Sequence, residues 1–418
     1  MSELSLRAGV AWLSGAQIGT KVLQLAAYAS ITRRLGEAGF GRFIYAFSLL
    51  DIVAFLATLG LPVLYTRHVA AGRNDAAAAA VLVKHRLTTV IGLLGLFWLA
   101  IVPPDLPRDL LVMMFLAMLL RGYSQFGASG LRGKSRMDAE AIASIAGRAT
   151  FAVGAGVGVW LVDEPGAMLR LTFIAFLLGE MVTTVLTGRG MEKLGLSWSP
   201  KRPSASVRQD LWIEMLPFAA AGLLGVIAFR VDLVMIRELS PELMGDHLAG
   251  AYGAAYRILE AGLFLPAAVG AALFPALVRA RNGGELAPQL LRRSAAVLLA
   301  LGLAGAAVLW FGAPLLVRLF AGEGYAEAVP ALATLGMAVP FLFVNFALGS
   351  AVFAVGKEWW GFAGLIASVL LNIFGNLWVL THHPEQALVG AALFTAAAEA
   401  VLTVSHTAIL TIVARREA

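Results

Sequence analysis

Residues 41–51, GRFIYAFSLLD, and residues 250–260, GAYGAAYRILE, carry one pattern twice, 209 residues apart. Gly41, Phe43, Ala46, Leu50 and Asp51 correspond to Gly250, Tyr252, Ala255, Leu259 and Glu260. The shift is half of the 418-residue chain, and it also carries Lys21 to Arg230 and Lys84 to Arg293. A single ungapped offset that pairs like charges marks an internal repeat. Each copy lies in the second of six apolar segments of its half. Six spans per half is an even number, so the halves run parallel, related by an axis along the membrane normal, and a substrate site is expected between them near the midplane.

The composition around these copies places the chain in a membrane. Apolar residues make up 59% of it and charged residues 14%, where a soluble domain carries roughly 25% charged residues. Mean hydropathy is +0.81. Several apolar runs exceed the roughly 20 residues that cross a bilayer core as helix. No alternating strand pattern is seen, which argues against an outer-membrane barrel. With no cysteine, a disulfide framework and a thiolate metal site are both excluded. The first apolar stretch has no cleavage site and reads as a retained helix. The expected fold is therefore an all-α membrane protein of about twelve transmembrane helices, in two parallel pseudo-symmetric six-helix lobes around a central cavity. The spans run approximately 8–32, 41–61, 84–102, 109–130, 140–162, 168–188, 213–237, 249–278, 293–317, 327–355, 358–380 and 387–412. Residues 1–188 form the first lobe, 189–212 a cytoplasmic linker and 213–418 the second lobe.

Lys and Arg assign the sides. Of 32 such residues, 20 fall in one set of loops, Lys84 among them, and 7 in the other. The bias puts both termini and the linker in the cytoplasm. It also accounts for the net charge of +6 without a nucleic-acid partner.

Ionisable residues inside spans are costly and usually face a bundle interior or a wet cavity. Here five bases (Lys21, Arg121, Arg148, Arg230, Arg257) match five acids (Asp51, Glu180, Asp232, Glu260, Glu399). Mutual pairing that only holds helices together is one reading. The first span suggests more. Gln17, Lys21, Gln24 and Tyr28 recur at spacings of 4, 3 and 4, a polar stripe over about three turns such as a cavity wall needs. Tyr256 is a further candidate for cavity lining. Asp51, Asp232 and Glu260 are candidates for ion coupling. The stripes Thr395–Glu399–Thr403–His406, Glu180–Thr183–Thr184–Thr187 and Ser368–Asn372–Asn376 read mainly as hydrogen-bonding contacts between helices. ASGLRGKS at 128–135 follows a membrane span, whereas a true phosphate-binding loop follows a strand. The pair His382–His383 has no second ligand cluster, so neither a metal nor a cofactor is expected.

The segments RRLGEAGFGRFIYAFSLL (33–50), LGLPVLYTR (59–67), MLPF (215–218), RVDLVMI (230–236) and GAYGAAYRILEAGLFLPAAVGAALFPAL (250–277) resemble the polysaccharide-transporter flippases of the multidrug/oligosaccharidyl-lipid/polysaccharide superfamily. The resemblance covers most of the chain, with the last four spans matching mainly in hydropathy. It implies a cavity lined by spans 1, 2, 7 and 8, alternating access, and an undecaprenyl-pyrophosphate-linked oligosaccharide moved from the cytoplasmic to the periplasmic leaflet of a bacterial inner membrane. Lys21, Arg230 and Arg257 suit the diphosphate of such a substrate. Membrane lipid and a polysaccharide polymerase are the other expected partners. The chain is compact for that family, so recognition falls to the cavity.

Other functions fit less well. A drug/cation antiporter of the same superfamily would favour acids in the cavity without matched bases. A major-facilitator transporter would carry a basic signature after its second span, and RHVAAGRND (67–75) lacks it. A polysaccharide polymerase or ligase would need a sizeable outer catalytic loop, and the outer segments are short. No enzymatic activity is expected.

Overall fold

The computed structural model describes residues 3–101, 106–199, 204–267, 269–270, 273, 276–277 and 288–417, with side chains from residue 19 onward apart from 205, 206, 208, 242, 243, 358 and 417. Among them there is no strand. The helices are α1 (Glu3–Phe55), α2 (Leu61–Ala70), α3 (Asn74–Ile101), α4 (Arg108–Gly133), α5 (Met137–Phe151), α6 (Pro165–Lys193), α7 (Ala205–Leu239), α8 (Glu242–Gly262), α9 (Pro288–Phe320), α10 (Ala328–Gly336), α11 (Val339–Ala354), α12 (Glu358–His382) and α13 (Ala387–Glu417). A π-turn and a 3-10 turn prolong α5 to Trp160.

Nine described helices are long and apolar enough to cross a membrane, ten with α10 and α11 taken as one span bent by 42°. Gly36 divides the first of these into two spans: its φ of 67° breaks α1 without a loop, a conformation glycine adopts at little cost. With α8 added, the described helices reach the twelve spans read from hydropathy.

The chain forms two compact units, residues 1–35 with 42–226 and residues 36–41 with 227–418. The division falls inside α7. In the first unit an aromatic cluster joins the helices: Tyr28 packs edge-on to Phe151 at 5.6 Å, and Phe43, Phe47 and Phe151 each meet Phe176. Edge-to-face contacts of this kind add to the apolar burial of the rings. The early part of α7 packs in the same unit, where Leu211, Met215 and Ala219 share a core with Leu61, Leu64, Tyr65 and Val69. Trp198 packs there too, against His85, Tyr123 and Phe126.

One span of this unit is broken. After α1, Leu59 (φ 40°) and Gly60 (φ 73°) turn the chain into α2, and Pro62 in its first turn suits a helix start. The break orphans carbonyls that a continuous helix would bond. Lys84 of α3 meets one of them: its Nζ donates to the Ala57 carbonyl at 3.0 Å and to Thr58 Oγ1 at 3.4 Å, and lies 4.8 Å from the centre of the Tyr123 ring. Lys84 is fully buried. It is therefore not one of the loop charges with which it was counted. A lysine reads as surface in a hydropathy profile, and only the helix break supplies acceptors for it inside.

In the second unit, the segment Gly36–Gly41 packs on α8. Gly41 rests on the carbonyl of Asp246, and Gly250 on the carbonyl of Glu37. The two contacts are equivalent under the 209-residue shift. Neither position has room for a Cβ, which explains the glycine in both copies of the opening pattern.

Candidate functional site

The sum of five acids and five bases is neutral, but the residues do not pair one to one. In the first unit Arg148 Nη1 meets Glu180 Oε1 at 2.9 Å, with Glu180 almost fully buried. Arg121 lies over the Phe47 ring at 5.3 Å. Lys21 is exposed and Asp51 half-buried. Gln24 Nε2 donates to the Tyr28 hydroxyl at 3.4 Å, and the Tyr28 ring is packed in the lobe interior at 2% exposure. The side chain of Gln17 lies outside the described residues.

The second unit holds the densest polar arrangement. Glu260 of α8 receives two guanidinium groups: Arg230 Nη1 of α7 at 2.8 Å on Oε1, and Arg257 Nη1, one turn earlier on α8, at 2.5 Å on Oε2. Helix periodicity alone sets the second contact, because residues three apart share a face. The first requires α7 and α8 to pack side by side. Tyr256 is 6% exposed, its ring 5.8 Å from that of Tyr252 and 6.3 Å from that of Phe229.

Two residues beyond Arg230, Asp232 is 2% exposed and makes no ion pair with any described residue. Its oxygens are held by neutral groups. The Tyr252 hydroxyl donates to Oδ2 at 3.0 Å, Thr395 Oγ1 donates to Oδ2 at 2.6 Å, and Asn376 Nδ2 donates to Oδ1 at 2.9 Å. Asn372 Oδ1 lies 3.2 Å from the same Asn376 nitrogen. Asn376 Oδ1 is buried without a hydrogen-bond partner. One helical turn further along α13, Glu399 Oε2 accepts from Asn345 Nδ2 at 2.8 Å, and Thr403 Oγ1 donates to Asn345 Oδ1 at 3.0 Å.

Of the residues around Asp232, Thr395, Asn372 and Asn376 belong to the stripes that read in the sequence mainly as contacts between helices. Their polarity and their i, i+4 spacing (Asn372–Asn376, Thr395–Glu399) were visible there. Their convergence on one carboxylate was not, because the α7–α8 pair and the α12–α13 pair are more than 90 residues apart in the chain. Among the described residues no group of three or more His, Asp or Glu is placed to hold a metal ion.

The family described as polysaccharide biosynthesis protein matches residues 6–281. The chain belongs to that family. It is 25% identical over 389 residues, 92% of its own length and 79% of the relative's, to a probable low-salt glycan biosynthesis flippase of Haloferax volcanii. Among solved structures it resembles the inward-facing conformation of a multidrug resistance MATE family transporter of the MOP superfamily, with a TM-score of 0.72 at 15% identity over 95% of this chain and 96% of that one. It also resembles the lipid II flippase MurJ in an inward closed conformation, with a TM-score of 0.66 at 12% identity over 96% of this chain and 87% of that one. These relatives are transporters and flippases, not enzymes. The fold is that of the MOP-superfamily transporters, a multi-pass membrane protein of two six-helix lobes.

Proposed function

We propose that this protein is a flippase for a lipid-linked oligosaccharide, carrying an undecaprenyl-pyrophosphate-borne glycan from the cytoplasmic to the periplasmic leaflet by alternating access. The observation that carries the reading is the arrangement on Glu260. One carboxylate holds two guanidinium groups side by side, Arg230 at 2.8 Å and Arg257 at 2.5 Å. Each guanidinium has five N–H donors in a fixed fork that matches phosphate oxygens. Lys21, the repeat mate of Arg230, adds a point charge of the kind lysine supplies to phosphates. The drug/cation antiporter reading would need acids where these bases stand. In cells dependent on the surface glycan, Lys21→Ala with Arg230→Ala is expected to abolish the polymer while the protein still inserts. Wild-type polymer in that double variant would sink the reading.

The coupling role falls to Asp232 in this proposal. A buried ionised carboxylate is strongly disfavoured without a compensating charge, and the neutral donors around Asp232 supply none. Asn376 Oδ1, buried and unpartnered, adds an acceptor beside it. A proton or a monovalent cation satisfies both. Glu260, held by two arginines, serves as the carboxylate that orients them. Asp51 in the first unit is the other coupling candidate. In proteoliposomes with an imposed proton or sodium gradient, Asp232→Asn is expected to fold and bind substrate but to lose gradient-driven flipping. Full gradient dependence in Asp232→Asn, with loss in Asp51→Asn, would move the role to the first unit.

A further inference from the structure

Where α2 turns into α3, the first unit has a pocket of about 620 Å³ that the transport reading does not use. It lies between that turn and the early residues of α7, and His68, Arg73, Asp75, Asp210 and Glu214 line it.

Two independent features indicate what it takes. His68 is 1% exposed, and neither of its ring nitrogens has a hydrogen-bond partner. The Glu214 carboxylate approaches Nε2 to 3.6 Å, which is beyond hydrogen-bond range. Buried polar groups are nearly always bonded, so an imidazole left unbonded on the wall of a cavity points to a ligand there. The second feature is charge. Arg73 lies 3.9 Å from Glu214, but Asp75 and Asp210 form no ion pair with any described residue. The pocket therefore has more carboxylates than cations.

The protonation of His68 decides its part. Burial pushes its pKa below the ordinary histidine range, Arg73 and Arg67 push the same way, and the Glu214 carboxylate opposes them. The ring is neutral at pH 7 and presents one accepting nitrogen. Acceptors thus line the space both from the α2–α3 turn and from α7. No three of the acids and the histidine converge as metal ligands would. An ammonium group, with three N–H bonds in different directions, fits acceptors spread in this way.

We propose that this pocket binds a primary ammonium group, carried either on an aminolipid head group or on a free polyamine. The proposal is independent of what the protein flips. The shared chemistry is the N–H donor, which a trimethylated head group lacks, and this sets the controls. Purified full-length protein would be presented with phosphatidylethanolamine or phosphatidylcholine of the same acyl chains, and bound lipid read by native mass spectrometry. Spermidine would be titrated separately with the melting temperature as readout. Preferential retention of phosphatidylethanolamine assigns a lipid source, and stabilisation by spermidine alone assigns a free amine. In either case Asp210→Asn with Glu214→Gln should weaken binding by about tenfold, the loss of a charge-assisted hydrogen bond. His68→Leu should do the same, and the double variant, whose side chains are not in the core, keeps the test open if His68→Leu does not fold. Equal retention of the two lipids together with no spermidine shift would overturn the proposal.

Discussion

Side chain by side chain, seven of the ten intramembrane charges fall into three kinds of environment. Arg148 and Glu180 form a direct pair, Arg230 and Arg257 share Glu260, and Asp232 and Glu399 rest on amides and hydroxyls. The first kind is structural. Glu180 sits 1% exposed between α5 and α6 beside Thr184, whose hydroxyl donates to the Glu180 carbonyl and reaches Leu120 of α4. Removing one partner of a buried pair strands the other, at a cost of about 3–5 kcal/mol. Glu180→Ala is therefore expected to lower the melting temperature in detergent sharply and to lower expression, while Glu180→Ala with Arg148→Met should recover most of the loss. No recovery in the double variant would mean that Glu180 has a role beyond holding Arg148.

Among the helices, the broken second span is the element whose details matter most. Gly60 has a positive φ, and a Cβ there would come within 2.7 Å of the Phe218 Cβ on α7. Gly60→Ala meets both penalties, the backbone one alone being about 1–2 kcal/mol. Lys84 bonds the end of the interrupted helix from the neighbouring α3, where a cation also complements the helix dipole. Lys84→Ala leaves the Ala57 carbonyl without its donor in an apolar interior, a loss of about 1–3 kcal/mol. Both variants are expected to melt earlier than wild type, and hydrogen exchange should rise first at residues 56–61. Exchange that rises uniformly along α1 would show that the break is not held locally. His85, beside Lys84, fastens the segment after α6 to the same place. Its Nε2 bonds the Trp198 carbonyl at 2.8 Å, and a carbonyl only accepts, so Nδ1 is left to accept from the Tyr123 hydroxyl at 2.8 Å.

For the molecule as a whole, the remaining expectation is its direction in the membrane. The Lys and Arg bias puts the loop at Lys134 and both termini in the cytoplasm, and the loop at Glu385 outside. The chain has no cysteine, so Lys134→Cys and Glu385→Cys report without background. In intact cells an impermeant thiol reagent should modify position 385 and spare 134; the reverse pattern would invert the topology. The sequence by itself determined the class, the twelve spans and the repeat, because hydropathy is summed over some twenty residues and tolerates local exceptions. It also determined the Arg257–Glu260 contact, since three residues along a helix fix a shared face. Only the tertiary structure decided that Arg230 joins that carboxylate, that Asp232 is met by Tyr252, Asn376 and Thr395, and that Lys84 is buried. A charge balance counts charges without placing them. Which acid meets which base depends on how helices distant in the chain pack and on where one of them breaks to expose a carbonyl.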